Sequence, residues 1–184
     1  MANELNGKKI AFLVAAEGIE QIELTAPWEA VEKAGGEPVL VAPETGKVQA
    51  YNHLDKADTF EATVATSDLQ AADYAGVVLP GGVANPDQLR TDEPAVNFLR
   101  EWAGAGRPIA AICHGPWTLV EADVVRGKTL TSWPSLQTDI RNAGGDWRDE
   151  EEVWRCDKDF SLVTSRKPDD LDAFNAALVE VFSG

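Results

Sequence analysis

Cys113 and His114 stand side by side where the apolar run Ile109-Ala110-Ala111-Ile112 gives way to Gly115-Pro116. A short apolar run behind Pro108 suits a central parallel strand covered on both faces. Pro116 suits the first turn of a helix, where its missing N–H costs no hydrogen bond. Cys113 is therefore expected at a strand-to-helix corner, where unpaired N–H groups and the helix dipole favour thiolate over thiol. The small residues Ala111 and Gly115, two before and two after the thiol, match the spacing of a nucleophile elbow with cysteine in place of serine. A histidine beside a thiol can hold a thiolate or serve as general base.

Two further segments carry chemistry of the same kind. Pro80-Gly81-Gly82 closes the apolar run at 76–79, and residues without Cβ atoms let backbone N–H groups approach a ligand oxygen. Gly82, with the N–H of His114, forms a candidate oxyanion hole. Glu17, Glu20 and Glu23 follow the first strand at spacings of three, with Glu20 and Glu23 expected on one face of a first helical turn. Acids there complement the helix dipole. A carboxyl packed against Cys113 would instead stay protonated and donate a hydrogen bond.

The elements that must position these residues follow from periodicity. Apolar runs at 8–14, 37–42, 76–79, 108–112 and 160–164 alternate with helical patterns at 21–34, 94–103, 115–121, 134–143 and 169–182. Segments 48–51 with 59–66, and 153–156 with 160–164 across Asp157-Lys158-Asp159, are expected as antiparallel additions. The fold class is α/β: a flavodoxin-like three-layer sandwich with a mostly parallel central sheet, in which sites lie beyond the carboxyl ends of the strands. With 184 residues and no repeat or linker, one domain over 1–184 is expected.

Lys and Arg total 16 against 31 Asp and Glu, a net charge of −15. Such a surface repels phosphate backbones and argues against strong nucleic-acid binding. Cys113 and Cys156 are too few for a disulfide scaffold, no basic leader precedes a long apolar run, and none of these runs reaches bilayer length. A cytoplasmic location without membrane association is expected. Two distant cysteines and two distant histidines give no paired metal-ligand spacing, so neither metal nor cofactor is expected. His53 and Cys156 are expected as a surface-turn and a packed strand residue. The six tryptophans are expected mostly in core or interface, with Trp117 able to roof the thiol.

Taken together, Glu20-x-x-Glu23-Leu24-x-x-Pro27, Leu79-Pro80-Gly81-Gly82, Ala111-Ile112-Cys113-His114-Gly115-Pro116, Ser132-Trp133-Pro134, Asp139, Asn142-Ala143-Gly144 and Thr164-Ser165-Arg166-x-Pro168-x-Asp170-Leu171 resemble the PfpI intracellular protease family. Its superfamily includes the parkinsonism-associated deglycase and stress chaperones, and the similarity runs from about residue 8 to residue 182. The resemblance implies Cys113 as nucleophile, His114 as its partner, a protonated Glu23, and oxyanion donors from Gly82 and His114. Glu20, Trp117 and Trp133 fall in the pocket, with Trp133 where many members carry Tyr. Proteolytic members draw a third triad acid from a neighbouring subunit; the matching residue here is Asp87, one methylene shorter than Glu. A homo-oligomer, at least a dimer, is implied.

The implied function is a stress-response cysteine hydrolase whose thiolate attacks an electrophilic carbonyl, either of a peptide or of a dicarbonyl adduct. A non-enzymatic redox sensor or chaperone built on an oxidisable Cys113 is the alternative. A glutamine amidotransferase is disfavoured because its mechanism needs a downstream histidine, and none follows His114.

Overall fold

The computed structural model describes residues 3–156 and 159–184, the side chains of 153–156 excepted. The expected turn at Asp157-Lys158 and the Cys156 side chain lie outside the described residues. In chain order the elements are β1 (Lys9–Leu13), β2 (Glu17–Glu20), α1 (Gln21–Lys33), β3 (Glu37–Ala42), β4 (Gly46–Asn52), β5 (Asp55–Ala62), β6 (Val64–Ala65), β7 (Gly76–Leu79), α2 (Ala84–Leu89), α3 (Glu93–Gly104), β8 (Ile109–Ile112), α4 (Pro116–Glu121), β9 (Thr129–Leu130), α5 (Gln137–Asn142), β10 (Asp146–Trp147), β11 (Glu152–Cys156), β12 (Ser161–Ser165) and α6 (Leu171–Ser183).

Seven strands form the main sheet in the order β11-β12-β8-β7-β1-β3-β6, all pairs parallel except β11 with β12. The central five read β3-β1-β7-β8-β12, which is the doubly wound order 2-1-3-4-5. Side chains alternate across this sheet. Ala11, Leu13, Val77, Leu79, Ile109 and Ala111 pack on one face with Leu99, Trp102, Leu119 and Ile140. Ile10, Phe12, Val78, Ala110 and Ile112 pack on the other with Leu24, Val31, Phe174 and Phe182. Burial on both faces explains why these strands are continuous apolar runs rather than alternating ones.

Several elements differ from the sequence expectations. Residues 84–89 form a short helix where no helical pattern was expected, and Glu17–Glu20 form a strand that pairs with β4 in a separate three-stranded sheet. Glu20 thus precedes the helix that Glu23 enters. The expected helix over 134–143 divides into a 3₁₀ turn, Pro134–Leu136, and α5. Among the described residues no helix is long and apolar enough to cross a membrane.

Candidate active site

Cys113 follows β8 with φ at +61°, a left-handed conformation that costs an L-residue on the order of 1 kcal/mol or more. Its backbone is held from both sides. Its N–H donates to Ser165 O at 3.0 Å, continuing the β12–β8 ladder, and its carbonyl accepts from Trp133 N at 2.8 Å. Gly115 N donates back to Ile112 O at 2.9 Å and Trp117 N to His114 O at 3.0 Å, so the chain turns sharply and enters α4. This is the strand–turn–helix corner expected of a nucleophile elbow.

The Pro80-Gly81-Gly82 turn closes against that corner. A Cβ on Gly81 would strike Glu23 Oε2 and stand 2.6 Å from Cys113 Cβ, so glycine alone lets the carboxyl and the thiol approach. Gly82 has φ at +80°, and a Cβ there would collide with the carbonyl oxygen of Gly18. The turn is clamped by Asn85, a buried residue that sequence reasoning passed over. Its Oδ1 accepts from Ala15 N at 2.7 Å, and its Nδ2 donates to the carbonyls of Pro80 and Gly81, each at 3.0 Å. Asn85 lies on α2, whose Asn-Pro start carries no helical periodicity by which to find it.

Glu23, in the first turn of α1, is fully buried, and neither carboxyl oxygen has a hydrogen-bond partner of good geometry. Burial pushes its pKa up to about 8, the charge of Glu20 adds to the rise, and the thiol of Cys113 and the N–H groups of Gly81 and Gly82 oppose it only partly. Glu23 is therefore protonated at neutral pH. Burial also pushes the Cys113 thiol up, and an ionised Glu23 pushes it further, against the N–H groups of Gly82 and His114. These contributions run opposite to the low thiol pKa expected from a helix N-terminus: α4 has only six residues, and Cys113 is 6% exposed beside a carboxyl.

His114 is the nearest base. Its Nδ1 lies 3.2 Å from Cys113 Sγ and its Nε2 lies 3.3 Å from Ser135 Oγ. The ring stacks on Trp133 at 5.8 Å between centroids and meets Trp117 at 5.5 Å. Burial lowers its pKa to about 4, so the imidazole is neutral at neutral pH. Trp117 is fixed by donation from Nε1 to Asp139 Oδ2 at 2.8 Å.

Glu23, Cys113 and His114 line a cavity of about 760 Å³ with Gly82, Trp117 and Trp133. The β4–β5 hairpin supplies Tyr51, His53 and Leu54, a wall that sequence reasoning did not assign. Glu20 accepts from the N–H of His53 at 3.1 Å and Glu17 from Tyr51 Oη at 3.3 Å. Asp87 also lines the cavity but is exposed on α2 and makes no described hydrogen bond to His114 of its own chain.

A thiol, a neutral imidazole and a protonated carboxyl thus lie beneath a glycine turn on a doubly wound sheet. The DJ-1/PfpI family model matches residues 8–181. The chain belongs to the DJ-1/PfpI family. It is 40% identical to Protein/nucleic acid deglycase 2 of Escherichia coli over 168 residues, covering 91% of this chain and 94% of that protein. It is also 40% identical to General stress protein 18 of Bacillus subtilis over 171 residues, 92% of this chain and 94% of that one. Among solved structures, a two-domain protein from Anabaena variabilis, with DJ-1/ThiJ/PfpI-like and ferritin-like domains, superposes with a TM-score of 0.86 at 33% identity. The match covers 94% of this chain and 47% of that one.

Proposed function

We propose that this family member is a cysteine-dependent hydrolase that acts on small carbonyl adducts of amines, in the manner named for its deglycase relative. The observation that carries this reading is the placement of Cys113 Sγ 3.2 Å from His114 Nδ1, beside the buried Glu23, in a half-open cavity of about 760 Å³. A pocket of that size suits a compact ligand.

With thiol and imidazole both neutral at rest, attack and proton transfer are concerted. Sγ bonds to the electrophilic carbon as its proton passes to Nδ1, and the carbonyl electrons move onto oxygen, where the N–H groups of Gly82 and His114 receive them. Where the attacked carbon carries the amine nitrogen, collapse expels the amine with the imidazolium proton and leaves an S-acyl group on Cys113; water then attacks that carbon as its proton passes to Nδ1, and Sγ leaves and takes the proton back. Glu23, holding its own proton, adds no charge opposing the nascent thiolate.

Asp87 we assign, by the family resemblance, to the mouth of a second copy's site. Leu54, Val83 and Trp133 leave apolar surface exposed around that mouth, which supports self-association. Sedimentation showing only monomer at micromolar concentration overturns the assignment.

The test of the activity is turnover of methylglyoxal-treated N-acetylarginine and N-acetyllysine, with casein peptides alongside, by the wild type and by Cys113→Ala. The expected result is amine release from the adducts, abolished in Cys113→Ala without loss of fold. Peptide cleavage alone transfers the protein to the protease class. Absence of any turnover, with Cys113 readily oxidised by peroxide, transfers it to the redox-sensing class.

A further inference from the structure

The family resemblance supplies a third residue for the Cys–His pair from outside the chain, yet the far nitrogen of the imidazole already has a neighbour within it. His114 Nε2 lies 3.3 Å from Ser135 Oγ. Ser135 belongs to the 3₁₀ turn Pro134–Leu136, and that turn is tied to the nucleophile rather than to a distant part of the fold. Trp133 N donates to Cys113 O at 2.8 Å, Leu136 N closes the turn onto Trp133 O at 3.0 Å, and the Trp133 ring stacks on His114. Below the turn, Ser132 Oγ donates to Trp133 O at 2.8 Å and accepts from Trp147 Nε1 at 2.9 Å. One short segment therefore fixes the cysteine carbonyl, the face of the imidazole and a hydroxyl at its outer nitrogen.

We propose that Ser135 is a positioning residue that accepts from His114 Nε2–H and so holds the imidazole in the tautomer whose bare Nδ1 faces the Cys113 thiol. A neutral imidazole has one N–H, and the nitrogen that carries it is set by the bond the other makes. At 3.2 Å from Sγ, Nδ1 accepts the thiol proton only if it is bare. With the proton on Nε2, the adjacent acceptor is Ser135 Oγ. Ser135 thus takes the orienting place that an amide or carboxylate occupies in other triads, from His114's own chain and independently of what a second copy brings to the cavity mouth.

The inference extends the proposed hydrolase mechanism, and its test includes readouts that need no turnover. The chain has only two histidines, so ¹⁵N-histidine NMR resolves the His114 tautomer once His53→Asn has identified the other signal. The expected result is Nε2-protonated imidazole in the wild type, a shift toward a tautomer mixture in Ser135→Ala, and its restoration in Ser135→Thr. Stoichiometric alkylation of Cys113, and kcat where there is turnover, should fall about two- to tenfold in Ser135→Ala, the value of one neutral hydrogen bond, with KM unchanged. Ser135→Thr should recover both. An Nδ1-protonated His114 in the wild type overturns the proposal, as does a Ser135→Ala protein with unaltered tautomer and alkylation. A tautomer shift in a protein without hydrolase activity supports the role of Ser135 and removes the proposed function instead.

Discussion

Asn85 Nδ2 donates to the carbonyl of Gly81 at 3.0 Å, and because a trans peptide points its C=O and N–H in opposite directions, that bond directs the N–H of Gly82 toward Cys113. The proposed oxyanion donor is thereby set from behind, by a residue that does not line the cavity. Asn85→Ala leaves the N–H of Ala15 and the carbonyls of Pro80 and Gly81 without this partner, all beside the core. The expected cost is about 2–4 kcal/mol in urea denaturation. Activity should fall by more than the loss of folded protein explains. A variant as stable and as active as wild type would sink the role given to this clamp.

Gly82 meets a different constraint. Its φ of +80° is strained for any L-side chain, and a Cβ would fall on the carbonyl oxygen of Gly18, which itself packs against α2. Gly82→Ala must therefore move backbone on two sides. Destabilisation of about 2 kcal/mol or more is expected, together with slower turnover of bound substrate. Thermal unfolding and kcat measured on one preparation check both.

How much of this was legible in the sequence depends on how far each contact reaches. The elbow at Cys113 and the glycine turn after β7 are local patterns, a buried strand followed at once by residues that permit a sharp corner, and the mostly parallel sheet follows from the alternation of such strands with helices. Glu23 could be placed near the thiol only through the family resemblance, because acids at a helix start are ordinary. Asn85 and Ser135 carry no local signature. Their partners lie 4 to 70 and 21 residues away, and only the closed fold decides that an amide meets three backbone groups or that a hydroxyl meets an imidazole. The hairpin wall of Tyr51, His53 and Leu54 was hidden for the same reason: the strands bury Val48, Ala50 and Ala62 in the core, and nothing in their local pattern shows the cavity that their tip lines.

The buried pair Glu23 and Cys113 should titrate as one unit, since a charge on either opposes a charge on the other. Iodoacetamide labelling of Cys113, followed by peptide mass spectrometry across pH 6 to 10, should rise with pH in the wild type and bend to a shallower slope near pH 8, where Glu23 ionises and opposes the thiolate. In Glu23→Gln the bend should vanish, and the logarithm of the rate should rise with pH without a break, since burial alone still holds the thiol ionisation high. Above pH 8, where the wild-type carboxyl is ionised, the variant should label several-fold faster. Identical profiles would show that the two groups do not share a proton.

Glu23 and His114 also set opposite limits on stability. The Glu23 carboxyl is raised from 4.5 to about 8, so the folded protein binds a proton that the unfolded chain has released; its contribution is complete below pH 4.5 and is lost as pH rises to 8. His114 is lowered from 6.5 to about 4, so its contribution is complete above pH 6.5 and is lost as pH falls toward 4. From these two groups alone, stability is level between pH 4.5 and 6.5, where their slopes cancel, and declines from 6.5 to 8, where only Glu23 titrates. Glu23→Gln should remove that decline. Its stability relative to wild type should grow by about 2 kcal/mol between pH 6.5 and 8. His114→Gln, which keeps Glu23 and removes the opposing slope, should instead lose stability steadily from pH 4.5 upward. Urea denaturation at half-unit pH steps distinguishes the three curves, and a Glu23→Gln curve parallel to wild type above pH 6.5 would mean that the buried carboxyl is already ionised in the folded protein.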